Sequence, residues 1–231
     1  MANRRGLDLK SCVIDLSNYK VRFYLPWWKK DLLQKVVLTT GSYFEEEYLY
    51  FIKKSYEEKI RNGIVLEIGA NIGNHALFWA LECGAKKVLA FEPMKDIYNI
   101  LEENIRINSL ENVIEAYNFG VGEKQGNASV AFRPADNCGG TTLKSTQEGD
   151  IEICAIDDLQ IREKVNFMKI DVEGFESKVI KGALDTIRRD KPCIMVEAWD
   201  HNETIFEIIN MLRVLGYDYI KWDGENYVFS T

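Results

Sequence analysis

The 231-residue sequence lacks the marks by which several functional classes are known. There is no excess of positive charge, since 29 lysines and arginines face 36 aspartates and glutamates for a net charge of −7. A sequence-independent nucleic-acid binder needs a basic face to displace counterions from phosphates, so no nucleic-acid partner is expected. There is no C-x-x-C pair either, and the five cysteines, Cys12, Cys83, Cys138, Cys154 and Cys193, are odd in number and sit mostly inside apolar runs. That usage suits reduced thiols in a cytoplasmic protein and argues against a zinc site. No apolar run reaches the ~18 residues of a membrane span, and the opening "GLDLKSCVIDLS" lacks the unbroken apolar core of an export signal. The expectation is a cytoplasmic protein without a membrane span. Repeats, linkers and low-complexity tracts are missing as well, and the length suits one domain around one sizeable core.

What the chain does have is a rhythm. "CVIDL" and "YKVRFYL" flank Ser17 and Asn18 as a hairpin that Pro26 ends. Ser42 with Glu45 three residues on reads as a capping box, and "EEE" at 45–47 as the acidic first turn of a helix whose apolar stripe runs Tyr48, Phe51, Ile52, Tyr56, Ile60. Strands and helices then alternate: "IVLEIG" and helix 73–82, "KVLAFE" and helix 94–107, "VIEAYNF" and a polar excursion from Gly122 to Cys154, "VNFMKID" and helix 175–189, "PCIMVEAW" and helix 203–215. "YDYIKW" and "NYVFS" close the chain as a hairpin about Asp223-Gly224. This pattern predicts an α/β fold: a doubly wound, mostly parallel sheet of seven strands with helices on both faces and an antiparallel C-terminal edge strand. Residues 1–62 are expected to form an N-terminal hairpin and helical cap of the same domain that 63–231 complete.

Open parallel sheets bind ligands beyond the carboxyl ends of their strands. Here those ends carry Glu67, Glu92, Asp171, Glu173 and Glu197. The strand in "VLEIGANIGNHALFWA" runs straight into a helix through Gly69–Gly73, a turn of the kind that aims N–H groups and a positive helix end at a ligand. Glu92 follows Gly69 by 23 positions, the spacing at which an acid on the second strand reaches ribose hydroxyls. The ligand is therefore expected to contain a nucleoside. A dinucleotide fingerprint needs a second glycine so that backbone can approach a pyrophosphate, whereas this turn has Asn71 and Asn74 where side chains would intrude. S-adenosylmethionine has no pyrophosphate, and "EIGANIGN" supplies a close glycine contact with polar groups for its methionine end.

The segments "VLEIGANIGNHALFWA", "AFEPMKDIYNILEENIRIN", "AIDDL", "FMKIDVEGFESKVIKGA" and "IMVEAW" resemble the successive motifs of the FkbM family of S-adenosylmethionine-dependent methyltransferases, over roughly Val65 to Trp199. The resemblance implies a class I methyltransferase, Rossmann-like fold and O-methylation of sugars or other hydroxylated metabolites, such as nucleotide-linked sugars or capsule and other surface polysaccharides. Two positions depart from the family pattern: Glu67 stands where aspartate is more usual, and His75 where a small or hydroxyl residue is. The expected cofactor-binding residues are Glu67, Gly69, Asn71, Gly73, Asn74, Glu92 and Asn118.

A sugar hydroxyl is a poor nucleophile with its proton on, so a base within hydrogen-bond reach is needed. Asp171, Glu197 and His201 are the candidates, with no metal ligand assigned; Asp171 and Glu173 could instead cap the helix that follows. Trp27-Trp28 reads as core packing or a sugar platform, and Arg133 as a partner for an acceptor phosphate. Two other readings stay open, namely methylation of a small phosphorylated or amino-acid-like metabolite, and a non-catalytic nucleoside-binding module. The acceptor is expected to be a small molecule or glycan, and assembly into a homo-oligomer is compatible with the sequence.

Overall fold

The structure, a computed structural model, describes residues 12–16, 18–198 and 203–231, and of Glu203 the backbone alone. The hairpin pairs β1 (Val13–Leu16) with β2 (Val21–Tyr24). Two helices follow, α1 (Leu32–Thr40) and α2 (Glu46–Ile60). The alternation then sets in: β3 (Ile64–Ile68), α3 (Asn74–Leu81), β4 (Lys87–Phe91), α4 (Lys95–Ile107) and β5 (Ile114–Tyr117). Four short strands, β6 (Gly120–Val121), β7 (Gly126–Phe132), β8 (Thr142–Ser145) and β9 (Ile151–Cys154), make up the excursion. The main rhythm resumes with β10 (Val165–Ile170), α5 (Glu176–Lys181), α6 (Leu184–Asp190), β11 (Cys193–Glu197), α7 (Glu203–Val214), β12 (Asp218–Lys221) and β13 (Asn226–Ser230).

Seven strands form one sheet in the order β12-β13-β11-β10-β3-β4-β5. The chain leaves β3 for β4 and β5 on one side, then crosses back to β10 and β11 on the other, so the order reverses beside β3. That switch point is where such sheets open a crevice for ligands. The terminal hairpin supplies the expected antiparallel strand, with one correction. β12 holds the edge, and antiparallel β13 lies one place in, bonded to both β11 and β12. The burial pattern explains the order: β13 is buried over four of its five residues, while all four of β12 are exposed.

Alternate residues of the strands feed two apolar layers. Val65, Val88, Phe167 and Met195 pack with the hairpin, α2, α3 and α4 on one face, whereas Leu66, Leu89, Met168 and Ile194 pack with α5, α6 and α7 on the other. Trp27 and Trp28 pack against the first layer.

Two local expectations change, and one helix is added to those expected. α1 carries no obvious periodic stripe, yet it forms because Asp31 caps it, accepting from the Gln34 N–H at 3.0 Å. The capping box at Ser42 and Glu45 does not form; the Ser42 hydroxyl bonds Thr40, and Glu45 precedes α2 without a side-chain cap. The helix expected over 175–189 breaks at Gly182-Ala183, because Asp157 reaches in to cap α6, its Oδ2 accepting from Asp185 N at 3.0 Å and its Oδ1 from Thr186 N at 2.9 Å. A side chain at Gly182 would sit 2.0 Å from the Gly122 carbonyl oxygen, so only glycine lets this junction close.

Candidate functional site

A cavity of about 310 Å³ opens over the carboxyl ends of β3, β4, β10 and β11, roofed by the excursion through Gly120, Val121, Cys138, Gly139, Leu143 and Ile153. The excursion is moored to the cap, since Asp31 Oδ2 accepts from Cys138 N at 3.0 Å and Leu32 N donates to Asp136 O at 2.8 Å.

The turn after β3 forms one wall. Gly69 is left-handed at φ +84°, and a Cβ there would lie 1.7 Å from the Asp171 carbonyl oxygen, so β3 and β10 can end side by side only with glycine at this point. Gly73 (φ +90°) likewise leaves room for Leu101. The donors of the turn are spent inside the protein, contrary to the expectation that they would face a ligand: Gly69 and Ala70 N–H bond Phe91 O, Gly73 N–H bonds Ala70 O, and Ile72 N–H bonds Asn71 Oδ1. The Asn71 N–H goes to Glu92 Oε2 at 2.9 Å, and Met94 N–H to Glu92 Oε1 at 2.8 Å. Glu92 is thus a buried carboxylate pinned by two backbone donors, and each oxygen still has a lone pair for a ligand. Burial pushes its pKa up to about 7 against the pull of those two N–H groups.

The opposite wall is built differently. Lys169, 1% exposed and the last residue but one of β10, places its ammonium 2.8 Å from Asp171 Oδ2 and 3.5 Å from Glu67 Oε1. Glu67 also accepts from the Trp79 indole N–H. Burial raises the Glu67 pKa, with Lys169 and His75 opposing. His75, 7% exposed, stands between two acids, with Nε2 3.2 Å from Glu45 Oε2 and Nδ1 3.8 Å from Glu67 Oε1. Burial would raise Glu45, but the contact with His75 outweighs it and holds the carboxyl below its ordinary value. Glu197, at the end of β11 beside Asp171, is pushed up to about 9 by that neighbour's charge first and by burial second, Lys169 opposing. Burial and the Asp171 charge take Glu173 up to about 7. Glu45 and Glu173 both hold left-handed backbone, at φ +57° and +50°, conformations that cost a side-chain-bearing residue of order 1–3 kcal/mol and that cluster at functional sites.

Of the residues singled out from sequence, Glu67, Gly69, Asn71, Asn74, Glu92, Asp171 and Glu197 line the cavity. Gly73 and Asn118 do not; the Asn118 amide donates to Glu92 O and Pro93 O, holding that loop from behind. Asn74 meets the cavity, yet its amide is engaged with the Phe44 backbone through both its oxygen and its nitrogen. His201 lies outside the described residues. α5 has no side-chain cap from Asp171 or Glu173; the Glu176 carboxylate accepts from Gly174 N at 2.7 Å just ahead of the helix. Arg133 does not line the cavity and is paired with Asp96 at 2.9 Å. Among the described residues, no group of three or more His, Cys, Asp or Glu is arranged to hold a metal ion.

Lys169 and Glu45 were missed. The lysine had a signal, a charge inside the apolar run "VNFMKI", where burial demands a partner. Glu45 had none, because α2 is carried to the cavity by tertiary packing alone.

The model of the Methyltransferase FkbM domain matches residues 67–219. The hexuronic acid methyltransferase AglP of Haloferax volcanii is 29% identical over 59% of this chain and 56% of its own length. Methyltransferase sdnD of Sordaria araneosa is 23% identical over 74% of this chain and 81% of its own. Among solved structures, an FkbM methyltransferase from Methylobacillus flagellatus superposes with a TM-score of 0.56 at 22% identity, over 73% of this chain and 43% of that one. An O-methyltransferase from Bacillus cereus, solved in complex with SAH, gives 0.50 at 13% identity over 79% of each chain. The chain thus spans little more than half of AglP and less than half of the Methylobacillus protein.

Proposed function

The chain belongs to the FkbM methyltransferase family, and on that premise we propose that it moves a methyl group from S-adenosylmethionine to a hydroxyl oxygen of a sugar. The residues suit the cofactor. Glu92 offers two fixed oxygens to ribose hydroxyls, Phe91, Ile97, Val121 and Ile153 offer apolar walls to a base, and the missing side chain at Gly69 leaves a close approach to backbone. When bound, the cofactor supplies a methyl group on a sulfonium, open to in-line attack by an oxygen.

Asp171 then has the work of accepting the hydroxyl proton. The Lys169 ammonium at 2.8 Å fixes its carboxylate, and β10 and β3 hold its backbone at the switch point, with Asp171 N donating to Ile68 O. Glu197, which holds its proton near neutrality in the free protein, faces the acceptor beside it. The excursion excludes water from above, and positioning supplies the rest of the acceleration.

The observation that carries this reading is the pairing of a pinned ribose-type acid, Glu92, with a lysine-held carboxylate, Asp171, across one cavity. A purely nucleoside-binding module has no need of the second group. A phosphorylated acceptor is disfavoured, because Lys169 and His75 are the only cationic types among the described residues of the cavity and both already face carboxylates. The test is mass spectrometry of a sugar and nucleotide-sugar panel incubated with labelled S-adenosylmethionine. A mass gain of one methyl on an oxygen is expected; transfer to nitrogen or carbon, or no transfer to any member, would count against it.

A further inference from the structure

The acceptor end of the cavity is more acidic than transfer to a hydroxyl requires. Glu45, Glu67, Asp171, Glu173, Glu197 and Glu225 all line it, with Lys169 as the one lysine or arginine among its described residues. They form a single electrostatic group. Asp171 raises Glu197 and Glu173, Glu45 raises Glu197, and Glu225 raises Glu173. The Glu225 carbonyl accepts from Ala198 N at 2.8 Å, which ties it to the end of β11. S-adenosylmethionine, with a sulfonium, an ammonium and a carboxylate, carries a single net positive charge and offsets only one of these acids.

A second, independent feature points to an absent partner. His75 is more than nine-tenths buried on the cavity wall, and its Nε2 has no hydrogen-bond partner in the protein; Glu45 Oε2, at 3.2 Å, lies off the hydrogen-bond line. A buried polar atom left in that state costs stability unless a ligand completes it. Glu45 is itself held beside it on strained left-handed backbone.

Building on the sugar-methyltransferase reading, we propose that the acceptor bears a protonated amine next to the hydroxyl that is methylated, and that this ammonium docks among Glu45, Glu173, Glu197 and His75. The ammonium has three donors for these carboxylate oxygens, while His75 Nε2, a donor toward Glu45, is completed by an oxygen of the acceptor. It also offsets the Asp171 charge, which raises Glu197 and, after burial, Glu173, so its entry favours loss of their protons. The charged groups facing this spot from the neighbouring elements, Asp171, Glu67, Glu176, Asp223 and Glu225 against Lys169, leave the balance negative. A hexuronic acid, the group in the name of AglP, would bring a carboxylate into the same field and be repelled.

The test compares three hexoses that differ in one substituent, D-glucosamine, D-glucose and D-glucuronate, by calorimetry at pH 7 on the full chain. S-adenosylhomocysteine is titrated first into the same sample, so that loss of cofactor binding is seen separately and counts against the methyltransferase reading instead. Glucosamine is expected to bind at least about tenfold more tightly than glucose, and glucuronate more weakly than either. Glu45→Gln and Glu173→Gln together should remove most of that preference while S-adenosylhomocysteine still binds. Glucuronate binding as well as glucosamine, a preference that survives both substitutions, or no binding of any hexose up to about 50 mM, where even millimolar affinities register, would each overturn the proposal.

Discussion

The two ends of the cavity hold their carboxylates in opposite ways. At the β4 end one acid, Glu92, is clamped by two backbone N–H groups, and its geometry is fixed before any ligand arrives. At the β10 and β11 end several acids share one buried lysine, and two of them sit on strained backbone. The first arrangement suits binding, because a pre-set acceptor loses little on meeting a hydroxyl. The second suits chemistry and selectivity, because crowded charge raises proton affinities and stores repulsion that a substrate can relieve. On the proposed reading, one cavity separates affinity for cofactor from choice of acceptor, along the line where the strand order reverses.

That separation can be broken most severely at the point that joins the two ends. Gly69→Ala puts a methyl group into the Asp171 carbonyl, and the expected cost exceeds ~4 kcal/mol, read as loss of a cooperative thermal transition or of soluble protein. A variant that melts within a few degrees of the parent would show that β3 and β10 can part without harm.

Removing the lysine comes next. Lys169→Met leaves Asp171 and Glu67 without their buried counter-charge and should destabilise by ~3–5 kcal/mol in urea unfolding. A cost under ~1 kcal/mol would mean that the acids are already neutral in the folded chain.

Glu197 sharpens the contrast through pH. Its carboxyl holds a proton to about 9 in the folded chain and releases it near the ordinary 4.5 when unfolded. Between those values the folded state binds more protons, so this group makes stability fall as pH rises. Glu197→Gln removes that slope, and melting temperatures at pH 5 and pH 9 should show the variant gaining on the parent at the higher pH. Parallel profiles would count against the crowding. The smallest effect belongs to Arg133→Ala, expected to leave turnover unchanged because its guanidinium serves Asp96 and Trp27 outside the cavity.

The β4 end was largely legible in the sequence, since Glu92 and the turn it serves lie within one strand-helix-strand unit whose spacing is local. Even there the reading misjudged the turn's N–H groups, because which acceptor takes a donor depends on strands meeting side by side. The β10 and β11 end was half legible. Asp171 and Glu197 follow from strand ends, whereas Glu45 and His75 meet only because α2 folds over α3, which no spacing encodes. The excursion was visible as polar and rich in glycine, yet its sheet pairs Gly120 with Ile153 across the intervening β7 and β8, a register that only the fold can set. Asn118 stands at the expected strand end, and its amide holds the Glu92 loop from behind, a contact that strand spacing does not show.

The central claim is that binding and chemistry reside at opposite ends, and one paired measurement tests it most directly: S-adenosylhomocysteine affinity and single-turnover rate on Glu92→Ala and Asp171→Asn, side by side. The account predicts that Glu92→Ala weakens binding by roughly tenfold or more, through loss of charge-assisted hydrogen bonds worth ~1.5–3 kcal/mol. It predicts that Asp171→Asn binds nearly as the parent does and turns over ~10²–10⁴ more slowly. Asp171→Asn turning over within a fewfold of the parent, or Glu92→Ala binding unchanged, would contradict it.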